Sequence, residues 1–314
     1  MRVTQSMLSG NMLRNLNTSY GKMSKLQDQM NSGSKINRPS DDPVIAVKGM
    51  GYRVDIDKIE QYKRNISDAH TWLDTTDTSL GQVGDALHRV RELTVQAAND
   101  TNTPEERQKI STEIKQLKGQ LRDLANTKVG ENYIFSGTHT DQPLYTDEVS
   151  GINEKITTGV DGDFKINVFD GVSLKINTNP SELFSQIDGF LGELGMLLDD
   201  PATTNDELND ALGKTMDSSQ VDEDGEVVVI AGLDALLEQT LTVRAEVGAR
   251  QNRVEMMENR LDTQFVNVTK QMSQNEDTDY AAAITEMATH ESIHQAALSV
   301  GAKIIQSTLV DFMR

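Results

Sequence analysis

Apolar residues recur at alternating steps of three and four through the stretch from Val44 to Asp100. The positions of this repeat are Ile59, Tyr62, Ile66, Ala69, Leu73, Thr76, Leu80, Val83, Leu87, Val90, Thr94 and Ala97. Ten of these twelve positions are apolar, although hydrophobic residues make up only 36% of the chain. A seven-residue repeat of this length is typical of a long helix with a continuous apolar seam. At 1.5 Å per residue the helix would be roughly 85 Å long, which predicts an elongated helical rod.

The same periodicity predicts five further helices. They cover residues 1–31, 104–126, 181–198, 233–272 and 280–314. Thr103-Pro104-Glu105-Glu106 has the sequence of a capping box and begins the second of these helices. Because a short polar turn joins the long helix to the helix at 104–126, we expect these two to form an antiparallel pair. We expect the rod helices to form a bundle in which they cover one another within one chain. The protein is therefore predicted to be a monomer before any assembly.

Alternating apolar and polar residues replace the helical pattern between Tyr133 and Asn179. Asp170-Gly171 lies between two such runs and is a strong hairpin signal. We expect a small β-rich domain inserted at 138–180, with an acidic, loop-like region at 199–231 that includes a short strand at Val227–Ile230.

The predicted fold class is mainly α, with a long antiparallel helical-bundle rod, a small inserted β-rich domain and amphipathic terminal helices. The predicted divisions are an N-terminal assembly helix and turn, the first half of the rod, the β-rich domain, the second half of the rod and a C-terminal assembly helix. Their limits are residues 1–42, 43–137, 138–180, 181–279 and 280–314.

Both terminal helices are amphipathic, and we predict that their apolar residues bind neighbouring subunits or a chaperone. These residues are Leu13, Leu16, Tyr20, Met23, Met30, Ile284, Met287, Ile293, Leu298, Ile305, Leu309 and Phe312. The last helix carries two stripes, one through Ile284 and Leu298 and one through Ile293 and Val300. Two stripes indicate two neighbours, of which the first terminal helix is one and another subunit is the second. Such helices are expected to fold fully only when their apolar stripes are covered.

A turn separates the first terminal helix from the long helix. Asp42 is placed to cap the long helix, and Pro43 suits its first position. We predict that Asp41, Asp42 and Pro43 form a hinge between the terminal helix and the rod.

The charge of the chain limits its partners. The net charge is −19, with 49 acidic and 30 basic residues, which argues against binding to nucleic acid or to an anionic membrane surface. The chain has no cysteine, so disulfides and thiolate chemistry are excluded. No apolar run of eighteen residues and no apolar signal-peptide region occurs, so we do not expect export by the general secretory route.

One short motif is associated with catalysis in other proteins. His290-Glu291-Ser292-Ile293-His294 has the HExxH spacing, which on a helix holds zinc between two imidazoles and uses the glutamate as a general base. A third protein ligand is still required, and after His294 the only acidic residue is Asp311. We expect no catalytic residue, metal or cofactor, and interpret the motif as polar positions on an assembly helix. A zinc peptidase remains the alternative from another class of function.

The segment 30–43, MNSGSKINRPSDDP, resembles the N-terminal signature of the flagellin family. Four further segments carry the same resemblance: GENYIFSGT at 130–138, RAEVGARQN at 244–252, DYAAAITEM at 279–287 and QAALSVGAKIIQSTLVDF at 295–312. The Arg-Pro-Ser-Asp-Asp-Pro form of the turn is similar to that of family members at the hook–filament junction. The final residues, Val310 to Arg314, extend past the expected end of the family pattern.

The resemblance implies a non-enzymatic structural subunit of the bacterial flagellum that joins the hook to the filament. Its implied partners are hook-associated protein 1, flagellin, a flagellar export chaperone and further copies of itself in a helical ring. The implied location is outside the cell, after export through the flagellar secretion apparatus without a cleaved signal peptide. A filament flagellin is the nearest alternative, and an ordinary cytoplasmic coiled-coil dimer is another.

Overall fold

The structure is a computed structural model that describes residues 5–99, 103–145, 162–200, 203, 205–213, 215–221 and 227–311. The described helices are α1 Gln5–Ser32, α2 Pro43–Ala97, α3 Pro104–Ala125, α4 Ser181–Asp199, α5 Asn205–Leu212, α6 Leu233–Glu276 and α7 Tyr280–Asp311. The described strands are β1 Lys128–Val129, β2 Asn132–Tyr133, β3 Lys165–Phe169, β4 Val172–Lys175, β5 Thr215–Val221 and β6 Val227–Ala231. The mainly α fold class with small β-structured regions is thus confirmed.

The chain divides into two compact units. We call Met1–Ile59 with Asp262–Arg314 the terminal unit, and Glu60–Leu261 the middle unit. The names refer to the sequence alone. The long helices α2 and α6 each contribute residues to both units.

The apolar seam of α2 forms the core of the middle unit. All twelve predicted seam positions are buried except Tyr62, which is half-buried. The two polar positions in the seam are satisfied locally, because the hydroxyls of Thr76 and Thr94 each donate to a main-chain oxygen one turn earlier, at 2.8 Å. Polar residues therefore fit this seam without an unpaired group.

Within the middle unit, α2 and α6 run antiparallel. Asp77 accepts two hydrogen bonds from Arg244, at 2.7 and 3.2 Å, and Asp74 accepts one from Gln251 at 2.9 Å. Higher numbers on α2 thus pair with lower numbers on α6, as the predicted antiparallel bundle requires.

The helices α3 and α4 form a second antiparallel pair in the middle unit. The capping box that begins α3 is present, with Thr103 and Glu106 each bonding the other's main-chain nitrogen. Arg122 on α3 makes a bidentate pair with Asp188 on α4, at 2.6 and 3.0 Å. Burial lowers the pKa of Lys118 beside this pair, even though the Asp188 carboxylate opposes the shift.

The described strands form three separate antiparallel hairpins: β1–β2, β3–β4 and β5–β6. The Asp170-Gly171 turn joins β3 to β4 as predicted, and Gly171 takes the positive φ of +72° that favours glycine. The ring of Phe164, just before β3, lies 5.9 Å from the ring of Trp72 on α2. The β3–β4 hairpin therefore packs on the helices, as its small size led us to expect.

The region 199–231 is more regular than predicted. The strand predicted at Val227–Ile230 is present as β6, but α5 and β5 also form where loop was expected. Helix α5 buries Leu208 and Ala211, and two apolar residues are too few to give a periodic signal in the sequence. Two of the three hairpins also lie outside 138–180, so the β-structure is more dispersed than a single inserted region.

Within the part of the chain that the structure describes, none of the helices combines the length and the apolarity that crossing a bilayer requires.

Candidate functional site

The candidate site is the pair of terminal helices, which pack against each other in the terminal unit. The pair is antiparallel, because the Tyr20 ring on α1 lies 6.2 Å from the His294 ring on α7, and Met12 lies against Gly301 further along. A Cβ at residue 301 would collide with the end of the Met12 side chain. The helices therefore approach closely at a glycine that a methionine fills.

One narrow line of α7 faces α1. Ala283 and Gly301 on this line are buried, and His290, His294 and Ala297 are half-buried. On a helical wheel this line runs between the two predicted apolar stripes. Helix α1 is thus one neighbour of α7, and it packs on the inner edges of both stripes, where Met287 and Ala297 are half-buried, as well as on small residues and histidines.

The outer residues of both stripes, among those described, remain open to solvent. The exposed fractions are 54% for Ile284 and 50% for Leu298 on one side, and 52% for Ile293 on the other, where Val300 is also exposed. On α1, Leu13 is 59% exposed and Tyr20 is 66% exposed. An apolar surface repeated along two helices in this way marks an interaction site, since monomeric proteins rarely leave one uncovered.

The remaining predicted site residues vary in exposure or lie beyond description. Leu16, Met23, Met30 and Met287 are half-buried. Ile305 and Leu309 belong to α7, whose side chains are described only up to residue 302, and Phe312 lies outside the described residues. Their role in assembly stays a prediction.

Sequence reasoning missed three features of this site. Leu26 is buried on α1 although we had not assigned it to the stripe. His294 faces α1, although we had treated it as an ordinary polar position. The first turns of α2 also carry an exposed apolar strip at Val44, Val47, Met50 and Val54. Its three- and four-residue spacing was a signal that could have revealed it.

The two histidines of the HExxH motif are used in helix packing. Among the described residues, no group of three or more acidic or histidine side chains is placed to hold a metal ion. Both imidazoles are half-buried beside α1, while Glu291 is exposed on another side of α7. The described residues supply no third ligand beside the two imidazoles, so they give the peptidase alternative no support.

The predicted hinge residues form caps. Both Val44 and Ile45 donate main-chain hydrogen bonds to one Asp42 carboxylate oxygen, at 2.9 and 3.1 Å, which caps α2 as expected. The Asp41 carboxylate accepts from the main-chain nitrogens of Asn37 and Arg38, at 3.3 and 3.0 Å. Gly33 ends α1 with a φ of +74°, the usual left-handed cap.

The first 38 residues differ in charge from the rest of the chain. They contain six cations and one carboxylate, a net charge of +5, whereas the whole chain carries −19. Arg14, Lys22 and Lys25 are exposed on α1. The terminal helix thus presents apolar and basic groups to an acidic protein, which favours contact between copies over repulsion.

Comparison with known proteins extends these observations. Residues 3–140 match the bacterial flagellin N-terminal helical region, and residues 230–313 match the bacterial flagellin C-terminal helical region. The flagellar hook-associated protein 3 of Escherichia coli is 26% identical over 95% of each chain. A flagellin of Clostridium tyrobutyricum is 24% identical over 98% of this chain and all of its own.

A solved structure shares the fold. It belongs to a Vibrio parahaemolyticus protein described as a flagellar hook-associated protein, with a TM-score of 0.60 and 23% identity over 76% of this chain and all of that one. The two matched regions include α1 and α7, the helices of the candidate site, together with the whole of α2, α3 and α6. This chain belongs to the bacterial flagellin family.

Proposed function

We propose that this protein is a structural subunit of the bacterial flagellum that joins the hook to the filament. It contacts hook-associated protein 1 on one side and flagellin on the other, and it assembles through α1 and α7. The observation that carries the proposal is the open apolar surface on both sides of the α1–α7 pair. The names of the similar hook-associated proteins support the junction role, because their relationship extends over almost the whole chain.

The exposed residues are sufficient to drive assembly if several are covered together. Burying the exposed half of one leucine or isoleucine contributes roughly 1 kcal/mol. Association costs at least about 4 kcal/mol in lost freedom, so one residue alone does not hold a neighbour. Leu13, Ile284, Ile293 and Leu298 together contribute about 4 kcal/mol, which only balances the lower end of this cost, so these residues must be covered on both of two contacting copies.

The same surface accounts for the proposed chaperone. An uncovered apolar helix is an aggregation liability inside the cell, so α7 needs a partner until export. We propose that a flagellar chaperone covers it, and that the flagellar secretion apparatus then exports the chain as a monomer. Assembly outside the cell replaces the chaperone with neighbouring subunits.

A filament flagellin is the second candidate. It is favoured by the flagellins of similar identity, such as that of Bacillus subtilis, which is 24% identical over 98% of this chain. The two candidates differ in where the protein lies: at a short junction or along the whole filament.

The test expresses variants in cells that lack the gene. Leu298→Glu places a charge on the exposed α7 stripe, and we expect hooks without filaments, with flagellin released into the medium. Val266→Glu is the matched control, because Val266 is an apolar residue on α6 in the terminal unit that is even more exposed than Leu298. It should leave filaments and motility normal. Deleting residues 280–314 should also abolish the junction while the middle unit stays folded.

Electron microscopy with labelled antibody distinguishes the candidates. Label confined to the base of the filament supports the junction, and label along its length supports the flagellin. Normal filaments with Leu298→Glu and with the deletion would contradict assembly through the terminal helices.

A further inference from the structure

The two breaks that separate the terminal helices from the long helices are joined to each other. Ser34, in the turn after α1, pairs antiparallel with Asp277, in the break after α6. The main-chain nitrogen of Lys35 donates to the Glu276 carbonyl oxygen at 2.6 Å, and that of Thr278 donates to the Gly33 carbonyl oxygen at 2.9 Å. These two bonds flank the Ser34–Asp277 pair, so the breaks form one short piece of β-ladder. We call it the clasp.

Side chains from α1 and from the turn after it reinforce the clasp. The Lys35 ammonium donates to the Gln274 carbonyl oxygen at 2.8 Å, and the Gln29 amide donates to the Lys35 carbonyl oxygen at 2.6 Å. The Ser34 hydroxyl donates to the Glu276 carbonyl oxygen at 3.3 Å. The turn is thus bonded to α1 on one side and to the end of α6 on the other.

Glu276 connects the clasp to α2. Its carbonyl oxygen accepts from Lys35, while its buried carboxylate lies against Gly49 and pairs with Arg53 at 2.5 Å. A Cβ at position 49 would collide with this carboxylate. One turn earlier on α2, the Ile45 carbonyl oxygen accepts from the Asn275 amide at 3.0 Å. The last turn of α6 therefore rests on α2 at a position where only a glycine leaves room.

We propose that Glu276 is a positioning residue for the assembly surface. Its carboxylate seats the end of α6 on α2, and its carbonyl then holds the turn after α1. Because both breaks share these bonds, α1 and α7 leave the clasp as one pair with a fixed direction. The inference rests on the proposed function, since it concerns how the assembly surface is aimed.

Two glycines on the same helix provide a matched test. Gly49→Ala puts a methyl group into the carboxylate site, whereas Gly51→Ala meets nothing within 4 Å. Both changes raise helix propensity by about 1 kcal/mol, so this effect cancels in the comparison. We expect Gly49→Ala to reduce the number of filaments per cell by roughly tenfold, the effect of a modest loss of contact energy. Gly51→Ala should match the wild type.

A designed disulfide tests whether the clasp is formed in solution. Ser34→Cys with Asp277→Cys places two thiols in a non-hydrogen-bonded antiparallel pair, where Cα atoms are about 4.5 Å apart and a disulfide fits. The natural chain has no cysteine, so the bond forms without competition. Oxidising the released protein and the isolated flagella should give a faster-migrating species on a non-reducing gel. Ser40→Cys with Asp277→Cys is the control, and it should give none.

Adding Gly49→Ala or Glu276→Ala to the cysteine pair should slow the disulfide by roughly tenfold, because the cysteines are no longer held together. A second pair, Tyr20→Cys with His294→Cys, replaces two rings whose centroids are 6.2 Å apart, and a bifunctional thiol cross-linker should still join α1 to α7 through it at the normal rate. If the clasp disulfide slows while the link between residues 20 and 294 forms normally, α1 and α7 are still packed together and only their attachment at the clasp is loosened. Shortening the acid, as Glu276→Asp in the Gly49→Ala background, makes room for the methyl group and should restore most filaments.

The outcomes separate this inference from the proposed function. If Gly49→Ala behaves like Gly51→Ala in filament number and disulfide rate, Glu276 is not a positioning residue. If the clasp disulfide responds as expected but Leu298→Glu still assembles, the clasp stands and the proposed function is wrong.

Discussion

Apolar residues on α2 differ in solvent exposure between the two units. In the middle unit Leu73, Leu80 and Leu87 are completely buried, whereas in the terminal unit Val47 and Val54 on the same helix are exposed. The seven-residue spacing is the same in both places, but Val47 and Val54 lie on a face of α2 that is open in the described part of the terminal unit, where the seam residue Ile59 is still buried. The comparison shows that a periodic apolar pattern predicts that a surface will be covered, and that it does not specify whether the cover comes from the same chain.

The largest expected effect tests the middle unit. Leu80→Ala should lower its free energy of unfolding by about 2–5 kcal/mol, because a cavity replaces a completely buried side chain. Denaturant unfolding followed by the fluorescence of Trp72, the only tryptophan, measures this unit directly. Val47→Ala on the same helix is the control and should change stability by less than about 0.5 kcal/mol. If Leu80→Ala and Val47→Ala lowered the free energy of unfolding equally, Val47 would be covered in the monomer.

A smaller effect is expected at the start of α2, in the terminal unit. Asp42→Ala removes the acceptor of two main-chain hydrogen bonds and should destabilise the first turn by about 1 kcal/mol. Hydrogen exchange of the Val44 and Ile45 amides should accelerate, while Trp72 unfolding stays unchanged. Ser40→Ala, in the same turn, serves as the control. Unaltered exchange would mean that the hydrogen bonds of Asp42 do not hold the turn in solution.

The smallest effect concerns acid stability in the middle unit. Hydrogen bonds from Lys115 and then from Ser111 hold the pKa of Asp199 below its ordinary value. A lowered pKa means that the carboxylate stabilises the fold above its ordinary pKa, and that this contribution is lost as pH falls through the folded value. Asp199→Asn should therefore unfold at a slightly lower denaturant concentration than the wild type at neutral pH.

The difference should disappear in strong acid, below the folded pKa of Asp199. Glu182→Gln, at an exposed carboxyl group on the same helix α4, is the matched control and should show no such convergence. A constant difference between Asp199→Asn and the wild type at all pH values would contradict the assigned cause.

The long helices could be predicted from the sequence because an apolar repeat over many residues is recognisable even where single positions depart from it. Helix α2 begins at Pro43, the position expected for its first residue, and the break between α6 and α7 lies between the helices predicted at 233–272 and 280–314. Short elements contain too few residues for an apolar repeat to be recognised. Helix α5 depends on Leu208 and Ala211, and the polar strand β5 is defined by its pairing with β6.

The site was only partly predictable for a different reason. The exposed stripes through Leu298 and Ile293 follow from spacing on one helix, and spacing is visible in the sequence. The line that faces α1 carries alanine, glycine and histidine, which have no strong preference for burial. Glu276 and Gly49 are more than two hundred positions apart in the sequence. Neither segment contains a local pattern that indicates their contact.

The position of α1 between two open stripes also affects stoichiometry. A subunit with one apolar surface is saturated by one partner, whereas under the proposed function the two stripes of α7 each bind a neighbour, which gives a valence of two. A bivalent subunit with unlike contacts continues to add neighbours unless the rotation between them closes a ring. The number of copies is then determined by the angle between successive contacts, and increasing the strength of either contact would lengthen the lifetime of the assembly without changing its size.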